Sequence, residues 1–297
     1  MTRNMYILLG IVAVLVVVAY LVMQKPGERS ARGDTEGNLV TLDSLAVNKI
    51  EIKSPTAKIV LEKKGVEWYL TEPLSYRADQ SNVASLIHES KNLEVKSIVS
   101  NKPEKHSLFQ VDSTGTTVRI FEGGAEKASF IIGKTGTSYS ESYARRTHSD
   151  DVALISGAMS YVFNRPVKEW RDRTILTVPK ERINEVTFRY GDTTFTLAFK
   201  DSTWMVGKDS TQDWVVNGLL TSLSSLQADD FVDTLLSPPP KITTQLSYAG
   251  AHVSFWYIKT GDKYLVRSSS SPQWFEMQSW RANQVLKRKK DLVKSGT

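Results

Sequence analysis

The sequence predicts an α+β fold: two tandem related units of antiparallel strands with packed helices, preceded by one N-terminal transmembrane helix. Three observations predict it. An uncharged apolar run opens the chain, short segments of alternating polarity fill the body, and one block of that body occurs twice.

The opening run is Met5 to Met23, MYILLGIVAVLVVVAYLVM, behind a short flank at residues 1–4. At the α-helical rise it reaches about 28 Å, close to the hydrocarbon thickness of a bilayer. A cleavable signal would end its apolar region in a small-x-small site, and Val18 to Gln24 offers none. The run is expected to stay in the lipid bilayer as an uncleaved anchor. Arg3 precedes it and Lys25, Arg29 and Arg32 follow it, a bias that by itself puts the body on the cytoplasmic side. Residues 24–40 are rich in glycine and charge and read as a flexible tether.

The body from there divides into a first unit at 41–178 and a second at 179–297. VNKIEIKSPTAKIVLEKKGVEWYL (Val47–Leu70) matches INEVTFRYGDTTFTLAFKDSTWMV (Ile183–Val206) without a gap. Ile50 and Ile52 fall on Val186 and Phe188, Ile59 and Leu61 on Phe195 and Leu197, and Trp68 on Trp204. The apolar residues alternate within each copy, so these are half-buried antiparallel strands joined by short turns. A helix follows in both. Val83, Leu86, Ile87 and Leu93 share their spacing with Val216, Leu219, Leu220 and Leu226, the spacing of one helical face. Asp79 is placed to cap the first helix, and Asp213 is its nearest equivalent.

Further strands are expected in each half: Thr117–Gly124, Ala128–Gly133, Ser142–Arg146 and Asp151–Ile155, then Ala251–Ile258, Lys263–Ser268 and Gln273–Gln278. Helical segments over Ser156–Asp172 and Ser279–Val293 close the two units. Pro238-Pro239-Pro240 marks a loop between strand groups.

Composition narrows the chemistry. Among 297 residues there is no cysteine, which excludes disulfides, thiolate zinc sites and cysteine nucleophiles. The net charge of +6 is concentrated near the carboxy terminus, where Arg281, Lys287, Arg288, Lys289, Lys290 and Lys294 face only Asp291. A nucleic-acid-binding face spreads its basic residues over the folded body, so no nucleic acid partner is expected. The basic tail reads as a solvated last helical turn, with contact to anionic lipid headgroups as the alternative.

Gly133-Lys134-Thr135 follows an apolar run, as a phosphate loop would. That loop needs a glycine five residues before its GK glycine and a helix directly after it. Ala128 holds the first position, and GTSYSESYARR follows as loop and strand. In the duplicated frame this stretch is set against KYLVRSSSSPQWFEM, which has no GKT, so Gly133 to Ser140 reads as a hairpin loop. His88, His106, His148 and His252 show no metal-ligand spacing, and no nucleophile motif is present. No cofactor or metal is expected. Trp68, Trp204, Trp256, Trp274 and Tyr143 could form an aromatic ligand surface, but Trp68 and Trp204 hold equivalent repeat positions within alternating strands, so core packing is the expected role. Trp170, Arg171, Asp172 and Arg173 stand at the junction of the repeats, where an Arg–Asp pair could lock the units together or the stretch could serve as a docking surface.

GVEWYLTEPLSYRADQSNVASLIHE (Gly65–Glu89), FQVDSTGTTVRIF (Phe109–Phe121), FIIGKTG with SYARR, and FNRPVKEWRDRTIL (Phe163–Leu176) together resemble the bacterial domain-of-unknown-function family 4340. The resemblance spans about Val47 to Val206. It implies a single-span membrane protein with an extracytoplasmic body, associated with gliding-motility-type ABC transporter permease and auxiliary subunits, and carries over no catalytic residue. Many members show a Gly-Leu-x-x-Pro turn that the Leu108 region lacks. The expected function is a non-enzymatic, membrane-anchored accessory or scaffold protein of the inner membrane. The alternative is a cell-envelope hydrolase or polysaccharide-binding module with a site between the repeats; a hydrolase would draw on Asp79, Arg145 or Asp172.

Overall fold

The computed structural model describes residues 37–233 and 244–294. The expected flank, the anchor Met5 to Met23 and nearly all of the tether lie outside the described residues. Among the described residues no helix is long and apolar enough to cross a membrane. The chain divides into two compact units, Met1–Trp170 and Arg171–Thr297. The division precedes the expected junction at 178 because Ile175 and Val178 are already packed in the core of the second unit.

The first unit begins with a meander: β1 (Val47–Lys53), β2 (Lys58–Lys64), β3 (Glu67–Glu72) and the short β4 (Tyr76–Arg77). Helix α1 (Gln80–Lys91), strand β5 (Val95–Ser100) and the single-turn helix α2 (His106–Phe109) follow. A second meander is built from β6 (Thr116–Glu122), β7 (Ala125–Thr135), β8 (Glu141–Arg146) and β9 (Val152–Ser156), and α3 (Ser160–Phe163) closes the unit. The two meanders join through β1 and β6 into one nine-stranded antiparallel sheet, ordered β4-β3-β2-β1-β6-β7-β8-β9-β5.

The second unit repeats the plan. It has β10 (Thr174–Thr177), β11 (Glu185–Tyr190), β12 (Thr193–Lys200), β13 (Thr203–Val206), β14 (Asp209–Ser210) and α4 (Asp213–Ser224). Then come β15 (Ser225–Gln227), β16 (Asp230–Val232), β17 (Thr244–Tyr248), β18 (Ala251–Ile258), β19 (Lys263–Ser268) and β20 (Trp274–Gln278). Helices α5 (Ser279–Val285) and α6 (Lys289–Leu292) end it. Its sheet runs β14-β13-β12-β11-β17-β18-β19-β20-β16, the same order strand for strand, and β10 pairs separately with β15.

The α+β expectation is therefore corrected. Strand makes up 47% and helix 21% of the described residues, and the body is mostly β. The terminal stretches read as long helices are broken. Ser156–Asp172 holds only α3 and a 3₁₀ turn at Val167–Trp170, interrupted at Pro166, because proline removes a helical donor and crowds the preceding turn. Ser279–Val293 is split into α5 and α6 by extended backbone at Arg288. The strands β4, β5, β10 and β14 to β17 lie outside the expected strand segments.

One face of each sheet is covered by one helix. Ile50 in β1 pairs with Leu61 on one side and Ile120 on the other, and all three pack with Val83, Leu86 and Ile87 of α1. Phe130 meets Phe163 edge-on at 5.6 Å. In the second unit Val216, Leu219, Leu220 and Leu223 of α4 pack with Val186, Phe188, Leu197 and Phe255. Asp79 caps α1 as expected, accepting from Asn82 N–H at 2.9 Å. The cap position of α4 is Gln212, which leaves Asp213 in the first turn.

Leu86→Ala and Leu219→Ala should each lower the unfolding free energy by about 3 kcal/mol, since each leaves a cavity beneath a sheet-covering helix. Urea midpoints check this, and a loss below about 1 kcal/mol at either position would deny that helix its structural role.

Candidate functional site: a cleft in the first unit

The connection from β5 to β6 shapes the cleft. After α2 the chain turns sharply at Gln110, whose φ is 56°. Asp112 then accepts from the Thr114 N–H and hydroxyl at 3.0 and 2.6 Å. These bonds hold the Asp112 carboxyl below the usual carboxylate range, a contribution to stability present at neutral pH and lost as acid protonates the group. The turn lies directly on the sheet. A Cβ at Gly133 would come 2.2 Å from the Phe109 carbonyl oxygen, and one at Gly115 would come 2.2 Å from the Gln110 oxygen. Glycine at both positions is what lets backbone meet backbone. Phe109 and Val111 close over Ile131, Tyr143 and Val152 on the side away from the main core.

The stretch after α3 forms the opposite wall. Phe163 is buried, and Asn164 accepts a short hydrogen bond from the Thr116 hydroxyl. The Arg165 guanidinium lies 3.7 Å from Glu169 and 5.9 Å from the Trp170 ring centre. Its Nε is buried and has no hydrogen-bond partner among the described residues. Between these walls and the β1–β2 turn is a cavity of about 420 Å³, whose polar lining includes Ser54, Thr56, Gln110, Thr114, Asn164 and Arg165. The arrangement offers amides, hydroxyls and one cation beside apolar walls, which is the chemistry of a binding cleft.

The junction residues are divided between the units. Trp170 is fully buried in the first core, with its Nε1 donating to the Arg165 carbonyl at 3.3 Å. Arg171 belongs to the second unit and is 3% exposed. It donates through Nη1 to both Asp233 oxygens at 2.9 and 2.8 Å and through Nη2 to Gln273 at 3.0 Å, over the Phe231 ring at 3.7 Å. The arginine–carboxylate pair of this stretch is thus with Asp233, while Asp172 accepts from the Thr174 N–H at 2.9 Å. Arg173 contributes its carbonyl to the Ala228 N–H at 2.9 Å.

The residues considered for hydrolysis have backbone partners. Asp79 caps α1, and Arg145 donates to the carbonyls of Val111, Thr147 and Ser149. Among the described residues no group of three or more His, Cys, Asp or Glu could hold a metal ion. Lys134 is exposed near the end of β7. The matched strand orders pair the β7–β8 hairpin with β18–β19, and the register sets Phe130 and Ile132 against Val253 and Phe255. The match of this stretch to Lys263–Met277 is corrected by one strand, because β17 precedes β18 in the second sheet. Gly133-Lys134-Thr135 belongs to strand β7, which continues through Thr135 and is followed by strand β8 rather than a helix. Trp256 and Trp274 do not present open aromatic faces, being 7% exposed each.

Gln110, Gly115, Asn164 and Arg165 were not singled out from the sequence. All four lie inside the segments that carried the family resemblance, and that was the available signal.

Fold and cleft define a class: a duplicated antiparallel β protein with each sheet covered by a single helix. The chain belongs to the family described as a domain of unknown function (DUF4340), which it matches over residues 68–247. No curated protein and no solved structure matches it. The matched region contains the cleft except for the β1–β2 turn, and it stops short of Trp256 and Trp274.

Gly133→Ala should destabilise the protein by about 2 kcal/mol or more through the clash with the Phe109 carbonyl. Lys134→Ala should change stability by less than about 0.5 kcal/mol, as an exposed substitution does. Urea unfolding of both variants distinguishes a packing glycine from a phosphate loop. Arg171→Ala should cost about 3 kcal/mol by opening the buried site under Phe231, measured in the same way.

Proposed function

We propose that the protein is a non-enzymatic accessory or scaffold protein, anchored in the inner membrane through Met5 to Met23, whose extracytoplasmic body binds a protein partner in the cleft of the first unit. One observation carries this reading: three of the segments that mark the family come together around one cavity, with Gln110, Gly133, Asn164 and Arg165 among their contributions. The lining favours an extended stretch of protein. Its amides and hydroxyls match peptide donors and acceptors, Arg165 matches a carboxylate, and Pro55, Phe163 and Pro166 give apolar contact. The partner implied by the family resemblance is an ABC transporter permease or auxiliary subunit. The hydrolase alternative is less well supported, since Asp79, Arg145 and Asp172 are engaged with backbone groups.

Affinity capture of the full-length chain from membranes in mild detergent should recover transporter subunits, and Arg165→Gln should reduce that recovery while the thermal midpoint holds. Recovery of no transporter component by the wild type would overturn the reading. Protease treatment of intact and permeabilised cells should cleave the body only from the extracytoplasmic side.

A further inference from the structure

The second sheet carries a different cavity on its other face. Leu246, Val253, Phe255 and Val266 enter the main core. Side chains alternate along a strand, so Gln245, Ser254, Trp256 and Arg267 face away from it. Gln245 pairs with Ser254, and Ser254 pairs with Arg267, in one row across β17, β18 and β19. In the next row Trp256 pairs with Leu265. The Trp256 and Trp274 rings meet at 4.7 Å, and with Leu265 they form a separate apolar cluster. Gln245, His252, Ser254, Trp256, Arg267 and Trp274, with the turn Ser268–Pro272, line an open cavity of about 590 Å³.

The serine hydroxyls and Arg267 supply most of its donors, beside the Gln245 amide and His252. Four serine oxygens accept bonds from inside the fold: Ser254 from Gln245 Nε2 at 3.1 Å, Ser268 from the Ser270 N–H at 3.2 Å, Ser269 from the His252 N–H at 3.0 Å, and Ser271 from the Gln273 N–H at 3.2 Å. A hydroxyl whose oxygen is accepting still has its own proton to donate. Among the described residues, none of the four gives that proton to a protein acceptor. The Arg267 guanidinium lies 5.5 Å over the Trp274 ring and has no ion pair among the described residues. The described lining contains no Asp or Glu.

We infer that this cavity binds a small organic carboxylate with an apolar body. The planar guanidinium fork matches the two oxygens of a carboxylate, the serine hydroxyls add donors, and the walls at Pro272 and the two indoles receive the apolar body. Arg267 as the permanent cation suits a single negative charge better than a phosphate dianion. The low exposure of both indoles means the body is held by cavity walls rather than stacked on an open ring. In the first unit the corresponding strands β7, β8 and β9 present Ile131, Tyr143 and Val152, sealed by Phe109 and Val111. The site therefore belongs to the second unit, and it stands independently of the partner cleft proposed above.

Isothermal titration of the full-length chain in detergent tests it with benzoate, acetate, benzamide and inorganic phosphate. Benzoate should bind, with acetate and benzamide each weaker by about tenfold, the worth of one charged contact or of the apolar body. Arg267→Gln should weaken benzoate about tenfold without moving the thermal midpoint, and Ser254→Ala should weaken it by a smaller factor. Binding should also weaken as salt is raised. Benzamide binding as tightly as benzoate, phosphate binding in preference to it, an unaffected Arg267→Gln variant, or no binding of any probe would each overturn the assignment.

Discussion

A nine-stranded antiparallel sheet has one face that must be kept from water, and each unit does this mainly with a single helix of 12 residues. That constraint governs the rest of the structure. The helix must be held at a fixed height and angle, so its start is tied down in several places. Asp79 caps α1, the Asp79 N–H donates to the Trp170 carbonyl at 2.8 Å, and Asn82 Nδ2 donates to the Glu169 carbonyl at 2.6 Å. Gln80 exchanges hydrogen bonds with both backbone groups of Trp68 in β3. The second unit meets the same need through other residues. Gln212 donates from its backbone to Leu292 and from its side chain to Val293, tying the start of α4 to the segment that follows α5.

The burial of that face also decides where ligands can reach. The helix-covered side is closed core, which leaves the sheet margins and the opposite face. In the first unit Phe109 and Val111 cover the opposite face over β7, β8 and β9, and the cleft opens beside them at the β1–β2 turn. In the second unit the opposite face retains a cavity with arginine, serine and indole walls. Two copies of one plan thus offer different surfaces, because the residues that differ sit outside the shared core. Retaining the core while varying the rim is what a duplicated scaffold permits.

Much of the fold was legible because its signals are local. The alternation in Val47–Leu70 and Ile183–Val206 gave strands on both copies, and the helical spacing of Val83, Leu86 and Ile87 became the buried stripe of α1. Ala251–Ile258 and Lys263–Ser268 are strands with the expected bounds. β5 and β16 lack a clean alternating signal. β5 meets β9 with two shifts of register, and β16 is only three residues long. β17 is only five residues long, yet it sets the β7–β8 hairpin against β18–β19. At the site, the glycines were visible but their purpose was not, because the carbonyls they accommodate, at Phe109 and Gln110, come from another connection.

The sequence by itself determined the duplication, the kind of most elements, the helix face and its first cap, because each depends on residues within a few positions of one another. It also determined the family, through segments long enough to be specific in combination. Only the tertiary structure decided that β1 would join β6 and β11 would join β17, making one sheet from two meanders in each unit. It alone assigned Trp170 to one core and Arg171 to Asp233 in the other, and it alone formed the cavities. Strand partners are chosen by which apolar faces can be buried together, and that choice is made between segments far apart in the chain.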